Sequence, residues 1–302
     1  MGCVVVLGVF VADTAYRADR MPRIGETILG KSFALGPGGK GSNQAVAAGK
    51  LRADVSIITR LGEDDFAKMA LQTWKAANVT PKVVTDASSY TGAAFIFIDD
   101  QTGDNAIIIS PGAAAKFSTD DIERNAEIIS EADVFITQLE QPIEVAKAGL
   151  EVARQSGNIT ILNPAPAAAI SRDIFLLCDF ITPNETEAEA LTGITVHDAE
   201  DAKRSAEVLV GLGVKTPVIT MGENGAYLHG YGMVPAFRVG PVVETTGAGD
   251  AFNGGFATAL SEGKSPVEAV RFGCASASIS VTRRGTAPSM PTREEVESLL
   301  RD

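Results

Sequence analysis

The sequence predicts an α/β fold, a central and mainly parallel β-sheet flanked by helices and carrying a small β lid. Three observations predict it. Short unbroken apolar runs of strand length recur along the chain, helical patterns fall between several of them, and two stretches, 13–35 and 90–109, alternate apolar and polar residues without an intervening helix. The first run, Cys3–Val9, reads CVVVLGV, and a strand this apolar needs cover on both faces, as in a parallel sheet between helix layers. Val55–Thr59, Val134–Thr137, Ile159–Leu162, Phe180–Thr182 and Pro217–Met221 repeat the pattern. Between them, Asp64–Ala77 and Pro142–Gln155 have helical spacing, which is βαβ alternation. The stretches Asp13–Leu35 and Tyr90–Ile109, punctuated by Gly25, Gly30, Gly92 and Gly103, read as antiparallel strands of a smaller sheet. Because that sheet is assembled from separated segments, it is expected as a discontinuous lid over one edge of the main sheet. With no Pro/Gly/Ser linker and no internal repeat, residues 1–302 are expected to form a single domain.

Composition narrows the function classes. With 302 residues, 45% of them apolar, the chain can bury an extended core. The 38 acidic residues against 26 basic give a net charge of −12, which repels a phosphate backbone, so nucleic acid is excluded as an expected partner. No apolar run reaches the roughly 18 residues of a membrane helix, and Met1 to Phe10 has neither a charged n-region nor a small-residue cleavage site, so a cytoplasmic chain without a membrane partner is expected. Cys3, Cys178 and Cys274 are scattered in apolar contexts and read as reduced core thiols.

Four segments carry candidate chemistry. Val243–Asn253 passes from a strand end through Gly247-Ala248-Gly249 into the helical pattern after Asp250. Small residues let the backbone approach a ligand, and free amides at a helix start favour an anion such as a transferring phosphate. Asp250 at that point is either a general base or a helix cap, and local sequence leaves both open. Gly36–Asn43, GPGGKGSN, is a second glycine-rich turn at a helix start and matches G-x-G-x-x-G through Gly36, Gly38 and Gly41. A dinucleotide fingerprint should instead follow the first buried strand, and here Pro37 and Lys40 interrupt it. It also fails as a Walker loop, because Gly41 follows Lys40 and position 34 is Ala. What remains is a turn of amides with one ammonium and the side chain of Asn43, suited to a polyhydroxylated substrate. In Thr182–Glu187, Asn184 can cap a helix, and Glu187 one turn on can hold the hydration shell of Mg²⁺. Thr220–Gly225, with Gly222, follows another strand in the manner of turns that contact nucleotide phosphates.

Taken in this order, these segments resemble the ribokinase branch of the ribokinase and phosphofructokinase-B family of sugar kinases. The similarity runs from VVVLG through GGKGSNQAVAAG, QLEQP, LNPAP, ITPNETEAEALTG, TTGAGDAFNG and VTRRGTAPSMP. It implies a ribokinase-like fold whose β lid often mediates a homodimer, and an ATP-dependent kinase acting on a primary hydroxyl of a sugar, ribose first among pentoses. It implies that Asp250 is the catalytic base, that the amides of Gly247, Ala248 and Gly249 form an anion hole, and that Asp13, Gly39, Lys40, Asn43 and Glu140 contact the sugar. Asn184 and Glu187 match the N-x-x-E motif that organises Mg²⁺ and phosphate. Thr220, Gly222 and Gly225 match the ATP-side turn, and Cys274 falls near the adenine where a polar side chain is common. A monovalent cation, usually K⁺, is implied beside Glu244, Thr246, Val281, Arg284, Gly285 and Ser289, although Glu244 replaces the family's usual Asp. Val11 stands where ribokinases usually carry Asn, so 2-deoxyribose, a ketose or another sugar is the alternative substrate. An NAD-dependent dehydrogenase using Gly36–Gly41 and a non-catalytic sugar-binding regulator are the readings from other classes; the intact GAGD segment argues against the regulator.

Overall fold

The structure, a computed structural model, describes residues 2–301. The main sheet has nine strands. Its parallel part runs in the spatial order β5 (Val79–Thr85), β4 (Asp54–Leu61), β1 (Cys3–Leu7), β8 (Val134–Thr137), β9 (Ile159–Leu162), β10 (Phe180–Ile181) and β11 (Thr216–Thr220). The antiparallel strands β12 (Ala226–Leu228) and β13 (Gly232–Val234) complete one edge.

Strand alternation divides the core into two layers. Val4 and Val6 of β1 join Val55 and Ile57 in one cluster, while Val5 and Leu7 join Ile58 in another on the opposite face. The first layer is closed by α1 (Lys40–Lys50), α2 (Asp65–Ala76), α9 (Ala248–Ser261), α10 (Pro266–Ser280) and α11 (Arg293–Arg301), through Ala47, Trp74, Phe256, Phe272 and Val296 among others. The second is closed by α3 (Thr119–Glu123), α4 (Ala126–Ser130), α5 (Ile143–Gln155), α6 (Arg172–Phe175) and α8 (Ala199–Leu212), through Ile122, Ile129, Leu150, Ile174 and Leu209. Helix α7 (Glu185–Thr192) packs Ala188 with Ala202 and Ala206 of α8 against Ile219 of β11. Each apolar run in the sequence became a central strand because both of its faces are buried in this way. Strand β5 was not anticipated: it is an edge strand, VTPKVVT, half exposed, which is why it tolerates Pro81.

A second sheet of four strands has the order β3 (Ser32–Gly38), β2 (Val11–Ala18), β6 (Thr91–Asp99), β7 (Asn105–Gly112). The outer pairs β2–β3 and β6–β7 are antiparallel, but the inner pair β2–β6 is parallel, contrary to the all-antiparallel expectation. The reason is topological, since β2 and β6 are separated by elements of the main sheet rather than by a hairpin. A second difference concerns Gly36 and Pro37, read as part of a turn. They are strand, paired with Asp13 and Ala12, and Pro37 is admitted because β3 is an edge. The turn itself is confined to Gly39.

One face of this sheet carries Val11, Ala94 and Ile96, packed with Val9 and Ala114. On the other, Tyr16 lies 5.1 Å from Phe33 and 5.4 Å from Phe95, ring centre to ring centre, and Phe33, Leu35 and Ile108 are 58%, 45% and 61% exposed.

Candidate active site

The site is assembled where α1 and α9 begin, beside the C-terminal ends of β8, β9 and β10. Gly39, the residue before α1, has φ 86°, and a Cβ there would lie 2.5 Å from the carbonyl oxygen of Val9, so only glycine fits. Helix α9 lies against α1 at Gly254, where a Cβ would stand 2.5 Å from that of Ala47. This close approach brings Asp250, in the first turn of α9, within reach of the first turn of α1. Asn43 Nδ2 donates to Asp250 Oδ2 at 3.0 Å and Gln44 Nε2 donates to Oδ1 at 3.1 Å. The residue that caps α9 is Gly247, so the capping reading of Asp250 falls: its carboxylate is buried and points across to the other helix.

Charge around Asp250 is unbalanced. Burial pushes its carboxyl above the usual range, against the opposing pull of Lys40 and of the Asn43 and Gln44 amides. Asp13, on β2, is raised to about 6 by burial and then by the charge of Asp250. Glu140 accepts the backbone N–H of Lys40 at 2.8 Å, and burial nevertheless raises it to about 7. Lys40 is the ammonium among these carboxylates, and Asp250, Glu140 and Glu187 hold its proton more firmly despite its own desolvation. Gly38 makes room for Asp13, since a Cβ there would overlap its carboxylate. Asn43 Oδ1 is buried without a hydrogen-bond partner among the described residues.

The start of α9 offers fewer amides than its glycines suggest. Ala248 N–H is spent on the carbonyl of Thr245 at 3.1 Å, while the amides of Gly247, Gly249 and Asp250 have no acceptor among the described residues. A cleft of about 140 Å³ opens here, and Lys40, Glu187, Thr220, Gly247, Gly249 and Asp250 line it. Asn184 lines it too and makes a reciprocal capping box with Glu187: Glu187 N–H to Asn184 Oδ1 at 2.8 Å, Asn184 N–H to Glu187 Oε2 at 2.9 Å. Glu187 Oε1 accepts no hydrogen bond among the described residues, and burial raises this carboxyl. One free carboxylate oxygen beside a cleft fits Mg²⁺, which keeps most of its waters.

Other predicted positions lie apart from the cleft. Gly225 has φ 99° and packs on the backbone of β13, where a Cβ would sit 2.1 Å from the carbonyl oxygen of Val234. Gly222 is in the same turn, where a Cβ would lie 4.0 Å from Glu185 Oε1. Cys274 is inside the main core with its thiol 3.9 Å from the Val234 carbonyl, and burial pushes it up to about 12. Several of the residues assigned to a monovalent cation are already hydrogen-bonded. Gly285 N–H donates to Glu244 Oε2 at 2.9 Å, the Val281 carbonyl accepts the amides of Val243 and Glu244, and Ser289 Oγ donates to the Thr286 carbonyl. Glu244 Oε2 and the Val281 carbonyl are thus engaged, while the backbone carbonyls of Thr246, Arg284 and Gly285 accept no hydrogen bond among the described residues and are open to a cation. Neither Thr246 nor Arg284 makes a side-chain hydrogen bond among the described residues.

The family model of pfkB family carbohydrate kinases matches residues 1–293. The chain belongs to the pfkB family of carbohydrate kinases. It is 38% identical to a ribokinase of Haemophilus influenzae, covering 98% of this chain and 97% of that one, and 36% identical to a deoxyribokinase of Salmonella typhi, with 98% of each covered. Its fold superposes on the Arabidopsis thaliana ribokinase complexed with ribose and ATP with a TM-score of 0.92, at 33% identity over 100% of this chain and 99% of that one. The fold is therefore the ribokinase-like α/β fold.

Within this kinase fold, sequence reasoning missed several polar residues around Asp250. Asn163, Thr182 and Asn253 line the cleft, and Thr182 Oγ1 donates to Asn253 Oδ1 at 2.7 Å. Gln44 and Gln138 complete the buried set, with Gln138 Nε2 donating to Gln44 Oε1 at 2.6 Å. A signal existed: Gln138, Asn163 and Thr182 are each the first polar residue after an apolar strand, where a parallel sheet places its ligands. A larger cleft of about 470 Å³ opens at the opposite ends of β9, β10 and β11, but its Arg154 and Lys215 are committed to Asp179.

Proposed function

We propose that this carbohydrate kinase transfers the γ-phosphate of ATP to a primary hydroxyl of a pentose, ribose first with 2-deoxyribose as the alternative that Val11 leaves open, and that Asp250 is the general base. The observation that supports this best is the Asp250 carboxylate, buried and held through both oxygens beside Lys40 and the partnerless amides of Gly247 and Gly249. Asp13, Lys40, Asn43 and Glu140 bind and orient the sugar, and the otherwise unpaired Asn43 Oδ1 accepts one of its hydroxyls. Asp250 takes the proton of the attacking hydroxyl, and the Gly247 and Gly249 amides stabilise the charge of the moving phosphoryl group. Glu187, fixed by its capping box with Asn184, would hold Mg²⁺, which would supply charge neutralisation on the ATP phosphates. Thr220 and the Gly222–Gly225 turn contact the nucleotide in this reading. No step depends on K⁺. The four-stranded sheet is the lid of this reading, excluding water from the site so that ATP is not hydrolysed.

Sugar choice turns on Val11. It lies two residues before Asp13 on β2, hence on the same face of the strand, and is 5% exposed in an apolar cluster with Ala94. A ring hydroxyl set against Val11 loses water without gaining a partner, at a cost of about 1–3 kcal/mol. The expected result is weak or reversed discrimination between ribose and 2-deoxyribose, and a shift toward ribose in Val11→Asn. Measuring kcat/KM for both sugars on both proteins checks it. A wild-type preference for ribose above about 100-fold, unchanged in Val11→Asn, removes Val11 from substrate reading.

We further propose a homodimer through the outer face of the four-stranded sheet. The apolar surface it offers lies mostly outside β6. Ala94 and Phe97 are buried within the chain, whereas Tyr16, Phe33, Leu35 and Ile108 are exposed together. Light scattering at micromolar concentration should give twice the chain mass, and Phe33→Asp should halve it; a monomeric wild type rejects the dimer.

A further inference from the structure

We infer that Gln44 is a positioning residue for phosphoryl transfer, an amide that holds the Asp250 carboxylate in the orientation from which it meets the sugar hydroxyl. The inference rests on Asp250 being the general base.

Gln44 is fully buried in the first turns of α1, next to Asn43. Every hydrogen-bonding group of its side chain is used. Nε2 donates to Asp250 Oδ1 at 3.1 Å and to Asn163 Oδ1 at 3.0 Å, and Oε1 accepts from Gln138 Nε2 at 2.6 Å. Asn163 in turn donates through Nδ2 to the carbonyl of Thr182 at 3.1 Å. Gln138, Asn163 and Thr182 follow the ends of β8, β9 and β10, so the Gln44 amide ties the carboxylate of α9 to three neighbouring strands of the main sheet. The opposite amide orientation would set Oε1 against the oxygens of Asp250 and Asn163, and Nε2 against Gln138 Nε2. The network therefore admits one orientation.

A carboxylate held through one oxygen can still turn about its Cβ–Cγ bond. Here consecutive residues of another helix take one oxygen each, Asn43 holding Oδ2 and Gln44 holding Oδ1. Asn43 also faces the sugar in the proposed reaction, whereas Gln44 is fully buried and Asp250 is the one charged group that it bonds. The charged groups around Asp250 are Lys40 from α1, Asp13 from β2, Glu140 after β8 and Glu187 from α7, and none of them donates to Oδ1. Catalytic groups need holding to within about 0.5 Å and 10–20°, and in this site the Gln44 relay is what supplies that for Oδ1.

The test uses Gln44→Met, which keeps the bulk and removes the amide, and Gln138→Met, which leaves Gln44 in place and frees its orientation. Expected for Gln44→Met is a fall in kcat of about ten- to a hundredfold, with the KM for sugar and for ATP within about twofold of wild type. The acid limb of its kcat profile should also move to higher pH, because ionised Asp250 has lost a donor. Gln138→Met should change both in the same direction by less. Should Gln44→Met fail to fold, the same comparison on Gln138→Met decides. Asp250→Asn is measured in parallel: near-normal turnover there overturns the base assignment and this inference with it. If Asp250→Asn is inactive while the folded Met variants keep wild-type kcat and acid limb, Gln44 only packs and the inference alone is overturned.

Discussion

Asp250→Asn is expected to lower turnover by about 10²–10⁴-fold, the range for losing a general base, while the protein remains folded and binds ATP. The substitution is isosteric and removes a charge from a buried position. Burial raises the Asp250 carboxyl, so its ionised form opposes folding of the ligand-free protein at neutral pH, and a neutral amide relieves that opposition. Against this, the new NH₂ group faces the N–H of Asn43 or of Gln44, since both now donate to the carboxylate. The two effects oppose each other, and a melting temperature close to wild type is the expected balance. Steady-state turnover, the melting curve and ATP binding measured on one preparation check all three parts. Turnover within about threefold of wild type would remove Asp250 from the mechanism.

The second large effect is expected from pH and from Asp13. Two carboxyls proposed to bind the sugar titrate far above their usual range, Asp13 at about 6 and Glu140 at about 7, both primarily from burial. Protons bind them more tightly in the folded chain than in the unfolded one. In the ligand-free protein their protonation therefore favours folding below the usual carboxylate range, and that contribution is lost as pH rises through about 6 and about 7. Sugar binding has the opposite sign, because ionised carboxylates accept hydroxyl hydrogens. The kcat/KM for sugar should fall as pH drops through the same interval, and sugar binding near pH 6.5 should release protons, seen as a buffer-dependent enthalpy. Asp13→Asn should lower kcat/KM for sugar by about ten- to a hundredfold at pH 8, mostly through KM, the amount typical of a hydrogen bond to a charged group. It should also flatten the lower part of the pH profile. A flat wild-type profile from pH 5 to 8 would contradict the assignment of both carboxyls to the sugar.

The runs around Val4, Ile57, Ile136 and Ile161 were legible in the sequence because burial on both faces leaves continuous apolar stretches that nothing else explains. Strand β5, an edge strand that is half exposed, and β12 and β13, each only three residues long, carry no such signature. The parallel pairing of β2 with β6 is a long-range fact that local alternation cannot encode. At the site, glycine-rich turns marked both helix starts, but not how they interlock. Gly254 sets the approach of α9 to α1, and only that approach converts Asn43, Gln44 and Asp250 from three polar residues into one hydrogen-bonded group. Gln44 was hidden in an alanine-rich helical stretch, where a lone Gln reads as surface. Cys274 illustrates the converse, a position matched by motif whose thiol is buried in the main core.

The most direct measurement incubates the wild-type protein with ribose, ATP and Mg²⁺, follows ADP release, and identifies the product by phosphorus and carbon NMR. The account predicts one ADP per phosphorylated sugar, phosphate on the primary hydroxyl, and little ATP hydrolysis when sugar is omitted. ADP release that is the same with and without sugar, across ribose, 2-deoxyribose and the common hexoses, would contradict it.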